Sequence, residues 1–248
     1  MKLTILSPRK SLGKADLAFK PTRQQIDRFK AELLKVLEHS NPTETEEFHK
    51  NLVADFLKRT YFSPAFFINT KGRADLVIHT GADASYPVGV LLEAKRPANA
   101  QEMVRPDQLN TKAFQELVLY YMRERFNHSR RNLGIKNLVV TNGWQWFMFA
   151  AEVFEREFAQ NSGFVQLFVD FEAGRLAGKT TDFFYKEIAA PAINAIESEV
   201  RFTHFDVRDY ETALRARLRS RFPHVQRRSR VADAAMVMSV SATAVSCS

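Results

Sequence analysis

Cysteine is nearly absent: the single one is Cys247, so no disulfide can close within the chain and nothing points to an oxidising compartment. Long apolar runs are absent too. None approaches the ~18 residues that a membrane-spanning helix needs. The apolar stretch in the opening MKLTILSPRK is too short for a secretory signal, and a cytoplasmic protein without a membrane anchor is expected. His39, His49, His79, His128, His204 and His224 are scattered, and none pair at zinc-site spacing. There is no glycine-rich loop to cradle a nucleotide phosphate, which argues against an NTPase. Ser129 and Ser162 lack the strand–turn–helix context of an activated serine. No internal repeat is visible.

What is present describes a packed domain. Hydrophobic residues make up 45% and charged residues 26% of the 248, and 21 are phenylalanine, enough for a sizeable core. The formal net charge is +8, and it is unevenly spread. Residues 201–230 contain nine arginines and no lysine against Asp206, Asp209 and Glu211, while residues 1–200 are only mildly basic. A basic balance suits a polyanionic partner, because lysine and arginine near phosphates release condensed counterions.

Periodicity gives the elements. Ile26, Phe29, Leu33, Val36 and Leu37 predict a helix over Pro21–His39. Asn41-Pro42-Thr43 breaks it, and Thr43 with Glu46 reads as a capping box for a second helix reaching about Thr60. Three strands follow: Ala65–Asn69, Arg73–His79 and the almost unbroken apolar run Val88–Ala94. A long helix is expected over Asp107–Phe126, then a hairpin of Lys136–Thr141 and Trp144–Ala150 around Asn142-Gly143. A short helix (Glu152–Phe158), a strand (Phe164–Phe171), a helix (Thr181–Ser198) and a strand (Val200–Asp206) complete the pattern. Tyr210–Arg221 reads as a basic helix. Val231–Ser248, mostly Ala, Val and Ser, reads as unpacked. The division expected is an arm over 1–20, a domain over 21–207, a basic helix or linker over 208–230 and a disordered tail over 231–248.

The chemistry concentrates in two stretches, Gly72-Arg-Ala-Asp75-Leu-Val-Ile78 and Val90-Leu-Leu-Glu93-Ala-Lys95. Residues i and i+2 of a strand share a face, so Glu93 and Lys95 project together while Ala94 points away. Asp75 lies on the preceding strand, where antiparallel pairing sets it beside Glu93. Two carboxylates and an ammonium then meet at one sheet edge. Mg²⁺ takes hard oxygen ligands, usually one or two carboxylates plus waters, and Asp75, Glu93 and the Ala94 carbonyl are its candidate ligands. Lys95 can position a water or steady charge developing on an attacked phosphate. The plain alternative is a surface salt bridge at a strand end.

The order helix, three strands, helix, strand, with Asp75 and Glu93-Ala-Lys95 on the second and third strands, resembles the PD-(D/E)XK nuclease superfamily. More narrowly, GRADLVI, GVLLEAKRP, KAFQELVLYYMRER, LVVTNGWQWFMF and FTHFDVRDYETAL resemble the N-terminal nuclease region of type IIG restriction enzymes, in which one polypeptide cleaves and methylates DNA. The resemblance covers about residues 20–215. It implies an α/β fold with a restriction-endonuclease-like mixed central sheet flanked by helices. It also implies a Mg²⁺-dependent endonuclease acting on DNA, with Mn²⁺ as a substitute, in which Asp75 and Glu93 bind metal and Lys95 is catalytic. Relatives often carry a glutamate on the first core helix that reaches the metal through water. Glu46 and Glu47 are the candidates; Glu46, bordering the apolar stripe, is preferred over Glu47, which points away from it, and the alternative for Glu46 is a role as cap partner only. Some relatives also carry Gln or Glu four residues before Tyr on the helix after the lysine strand. Glu116 and Tyr120 have that spacing and Gln115 does not.

The resembling enzymes continue into an adenine methyltransferase with an Asn-Pro-Pro-Tyr-like motif and a target-recognition domain. Neither occurs in these residues, so the expectation is a truncated or frame-shifted reading frame, or a nuclease module beside a separate methyltransferase or specificity subunit. Double-strand cleavage further implies a transient homodimer. The competing expectation is a catalytically silent DNA-binding or assembly module on the same fold; an RNA nuclease is a third. Trp144 and Trp146 lie on one hairpin face, where packing is favoured over base stacking. Arg96, Arg105, Lys112, Arg123, Arg125, Arg130 and Arg131 are candidates to line a phosphate path or simply a solvated surface.

Overall fold

The computed structural model describes residues 1–18, 21–72, 74–126, 131–215, 233–235 and 238. In chain order these form strand β1 (Lys2–Leu6), helices α1 (Pro8–Ser11), α2 (Lys14–Ala18), α3 (Arg23–His39) and α4 (Glu46–Leu57), and strands β2 (Ile68–Lys71), β3 (Ala74–His79) and β4 (Val88–Ala94). Then come α5 (Lys112–Arg125), β5 (Asn137–Thr141), β6 (Gln145–Ala150), α6 (Ala151–Phe154), α7 (Ser162–Glu172), α8 (Thr181–Phe183), α9 (Ala190–Asn194), β7 (Glu199–Asp206) and α10 (Glu211–Arg215). The fold is mixed α/β, a seven-stranded sheet in the order β1-β7-β6-β5-β4-β3-β2 with helices on both faces. β4 runs parallel to β5 and β1 parallel to β7; the other pairs are antiparallel. Among the described residues, no helix is long and apolar enough to cross a membrane.

Two cores sandwich the sheet. β4 supplies both: Leu91 packs with α5 and the aromatic helices after β6, whereas Val90, Leu92 and Ala94 pack with α3 and α4. All seven residues of β4 are buried, as an apolar run covered on both faces requires. In α3, Phe29, Leu33 and Val36 recur at helical spacing on the buried face. Thr22 and Gln25 close a reciprocal cap at its start.

Several elements differ from the sequence expectation. The second helix starts at Glu46 and is capped by Thr45, whose side chain accepts from the Phe48 amide, so the expected Thr43–Glu46 capping box does not form. β2 begins at Ile68, not Ala65. Residues 164–171, expected as a strand, lie in α7. Their Phe and Val content favours strands, but Phe164, Phe168 and Phe171 recur at helical spacing and are the buried ones. The helix expected over Thr181–Ser198 is interrupted by a π-helical stretch, Phe184–Ala189, and stops at Asn194. Pro191, lacking an amide proton, cannot continue the ladder through it.

The boundaries shift as well. The first residues are no arm, because β1 is an edge strand of the sheet. Beyond the sheet, α10 lies against α3, with Leu214 buried and the Lys30 ammonium donating to the Ala213 carbonyl at 3.0 Å. The rest of the expected basic helix and linker is outside the described residues. In the stretch expected to be unpacked, Ala234, Ala235 and Met238 are buried in the α3–α4 core, and Asp233 lies 3.7 Å from Arg9.

Candidate active site

The register sets the site. Leu76 pairs with Leu92 in the antiparallel β3–β4 ladder, so Asp75 falls opposite Glu93 where the two strands end. Asp75 is anchored by the Ala94 amide, which donates to Oδ2 at 3.0 Å. Ala94 thus meets the expected ligand Asp75 through its N–H. On the other side the Lys95 amide donates to the Thr141 carbonyl at 2.8 Å, which extends the β4–β5 pairing by one residue. Lys95 is therefore held at the backbone on a central strand, away from any flexible tail.

Its ammonium sits in a cage of carboxylates. Nζ lies 2.6 Å from Glu93 Oε1 and 2.7 Å from Glu116 Oε2, with Glu46 at 3.7 Å and Glu102 at 3.8 Å. Glu93 and Lys95 are each only 2% exposed, so this is a buried cluster and not a surface salt bridge. Glu116, on α5, is buried too, with Tyr120 one turn further along the same helix. Glu46 reaches the site from the first turn of α4, on the opposite side of the sheet, and stays half exposed. Glu47 points away, exposed and paired with Lys50. The four carboxylates expected at the site, Asp75, Glu93, Glu46 and Glu116, converge with Lys95, whereas the alternative Glu47 does not.

Burial governs the titration. It pushes Glu93 well above the ordinary carboxylate range, and the neighbouring Glu116 charge adds to this more than Lys95 relieves it. Burial raises Asp75 as well, against the Ala94 amide and Lys95, which pull it down. Burial works against the Lys95 ammonium, but Glu93 and Glu116 outweigh it and hold the amine charged. Tyr120 is raised by burial and by the Glu93 and Glu116 charges, so it stays a neutral phenol.

The donor set is hard oxygen. Glu93 Oε2 is buried without a hydrogen-bond partner, on the residue that falls opposite Asp75 in the ladder. Among the described residues, no group of three or more His, Cys, Asp or Glu side chains is disposed to hold a metal ion unaided. A cation here has two carboxylates to take, with water or main-chain oxygen to complete its shell, which fits a small hard divalent ion.

Three participants carried weaker sequence signals. Lys50 lies one turn after Glu46 and its charge lowers Asp75, so the i, i+4 spacing from Glu46 was the available clue. Tyr185, in the π-helical stretch, is raised by burial and then by Glu116. Glu102 lies in the aperiodic loop between β4 and α5, and no sequence pattern points to it. The proposed phosphate path is largely spoken for: Arg123 pairs with Glu172, Arg125 with Glu155 and Lys112 with Glu102. Arg96 and Arg131 are exposed, and Arg130 lies outside the described residues. Trp146 is buried in the core, while half-buried Trp144 carries the Arg208 guanidinium 4.8 Å above its ring.

Among known proteins, the profile of a family described as a domain of unknown function (DUF7149) matches residues 6–226. No curated protein and no solved structure matches the chain.

Proposed function

We propose that this chain, which belongs to the DUF7149 family, is a metal-dependent endonuclease that hydrolyses DNA phosphodiester bonds. The observation that carries the reading is the meeting of Asp75, Glu93 and Lys95 at the end of two paired strands, with one buried Glu93 oxygen lacking a hydrogen-bond partner. Asp75 and Glu93 would hold Mg²⁺, or Mn²⁺ in its place. When bound, the ion polarises the scissile phosphate and acidifies a coordinated water. Lys95, kept charged by its carboxylate partners, offers an ammonium to the charge that develops on the attacked phosphate. Glu116 holds that ammonium at 2.7 Å from α5, and Glu46 closes the cage from α4. The stretches resembling type IIG restriction enzymes support a role as the cleavage module of a restriction system, beside a methyltransferase or specificity subunit and with a transient second copy for the second strand.

The near-complete burial of Glu93 and Lys95 favours a second reading, a catalytically silent DNA-binding or assembly module in which the cluster is only structural. Cleavage of plasmid DNA in Mg²⁺ or Mn²⁺ separates the two. Asp75→Ala and Lys95→Ala are expected to lower the rate at least about a hundredfold. An inactive natural chain whose metal binding is lost in Asp75→Ala would mean a competent site awaiting a partner. An inactive chain that binds no metal would leave the silent module.

A further inference from the structure

Glu102 makes more contacts than a loop carboxylate needs. Its Oε1 lies 2.9 Å from Lys112 Nζ, and its Oε2 accepts from Asn99 Nδ2 at 2.9 Å while facing Lys95 Nζ at 3.8 Å. The backbone is held as firmly: its amide donates to Asn99 Oδ1 at 3.4 Å and its carbonyl accepts from the Ala113 amide at 3.1 Å. The next two residues, Met103 and Val104, are buried in the α5 core. The loop therefore has little freedom to take Glu102 elsewhere. Side-chain exposure steps down along the chain of contacts, from 42% at Lys112 through 31% at Glu102 to 3% at Lys95. Glu102 is a carboxylate with one oxygen on a solvent-facing amine and the other on the enclosed one.

We propose that Glu102 is a positioning residue that couples a DNA phosphate bound at Lys112 to the placement of Lys95, an inference that rests on the nuclease reading of the same site. A phosphate at Lys112 competes with Glu102 for that ammonium. Glu102, losing its outer partner, then takes a larger share of Lys95, drawing Nζ away from Glu93 Oε1 and toward the mouth of the cage. Glu93 is thereby freed when substrate is present, and the buried cluster described above opens only then. Glu102 touches neither substrate nor metal in this scheme.

Single-turnover cleavage in Mg²⁺ tests it together with side-chain NMR of lysine ammonium groups, with Lys95 and Lys112 assigned by Lys95→Arg and Lys112→Arg. Glu102→Gln keeps the size and the Asn99 contact but loses the charge. It is expected to lower the cleavage rate constant by about tenfold to a hundredfold while DNA binds more tightly, since the phosphate no longer competes with Glu102 for Lys112, with Glu102→Asp restoring part of the rate. Lys112→Ala combined with Glu102→Gln should slow cleavage no further than Glu102→Gln alone. Adding a short DNA duplex should shift both the Lys112 and Lys95 resonances in the natural chain, but only Lys112 in Glu102→Gln. A Lys95 shift that persists without the Glu102 charge, or no Lys112 shift at all, would overturn the coupling. Coupled shifts in a chain that does not cut would leave the coupling standing and sink the nuclease instead.

Discussion

Glu93 combines three conditions that rarely coexist in a stable fold: deep burial, a carboxylate neighbour on either side, and one oxygen with no partner. Its raised pKa has a definite thermodynamic sign. A group whose folded pKa lies above its unfolded value adds stability below the unfolded value, and that stability is lost as pH rises through the folded one. The metal-free protein should therefore lose thermal stability as pH climbs above the ordinary carboxylate range, on account of Glu93 first and Asp75 second. Glu93→Gln should flatten that dependence and raise Tm at neutral pH, since the amide carries no charge to desolvate. Saturating Mg²⁺ should raise Tm of the natural chain and leave Glu93→Gln unmoved. A calorimetric series over pH, with and without Mg²⁺, checks both, and equal slopes for the two proteins would mean that Glu93 is not the group being strained.

Single elements hold the site to its neighbours, and the β5–β6 turn does so most sharply. Gly143 has φ +84, and a Cβ there would meet Ser40 Oγ at 3.0 Å, at the C-terminal end of α3. Gly143→Ala is expected to cost about 1–2 kcal/mol from the left-handed backbone alone, read as a lower urea midpoint, with a further loss if Ser40 cannot yield. That turn was legible in advance because Asn-Gly at a break in alternation has one main use. β4 was equally plain, since seven buried residues leave a continuous apolar signature. Glu46 was separable from Glu47 by helical angle alone, and their environments differ as that angle implies. α7 departs from the strand expected there because the i, i+4, i+7 spacing of its phenylalanines outweighs their aromatic composition. For Glu116 the sequence offers only its spacing to Tyr120, since what buries it is the β4 end and the π-helical stretch, contacts distant in sequence. Glu102 was invisible for a similar reason: its position depends on a loop anchored by Met103 and Val104 to a core that one-dimensional periodicity does not describe.

The molecule as a whole is a sheet whose two halves differ in how they are closed. On one side β2, β3 and β4 are joined by short connections and carry Asp75, Glu93 and Lys95. On the other, β1 pairs with β7 through the register Lys2–Glu199 to Leu6–Thr203, and Thr4 Oγ1 donates to Glu199 Oε1 at 2.6 Å. Removing residues 1–6 should destabilise the fold by on the order of 2–5 kcal/mol, from ladder hydrogen bonds worth ~1 kcal/mol each and the lost packing of Leu3. The urea midpoint should fall, yet Mg²⁺ binding proposed at Asp75 and Glu93, five and four strands away from β1, should persist once the shorter chain is folded. Loss of metal binding in the folded truncation would mean that the halves are mechanically linked. The β1–β7 pairing also bears on the order in which a ribosome delivers this chain. β1 emerges before every other described strand, but its partner β7 follows nearly two hundred residues later. Until then the nascent protein carries a strand with nothing to pair with and, once β6 is out, a bare β6 edge as well. Ribosomes stalled between residues 150 and 199 should thus display the species most prone to aggregate and most dependent on chaperones.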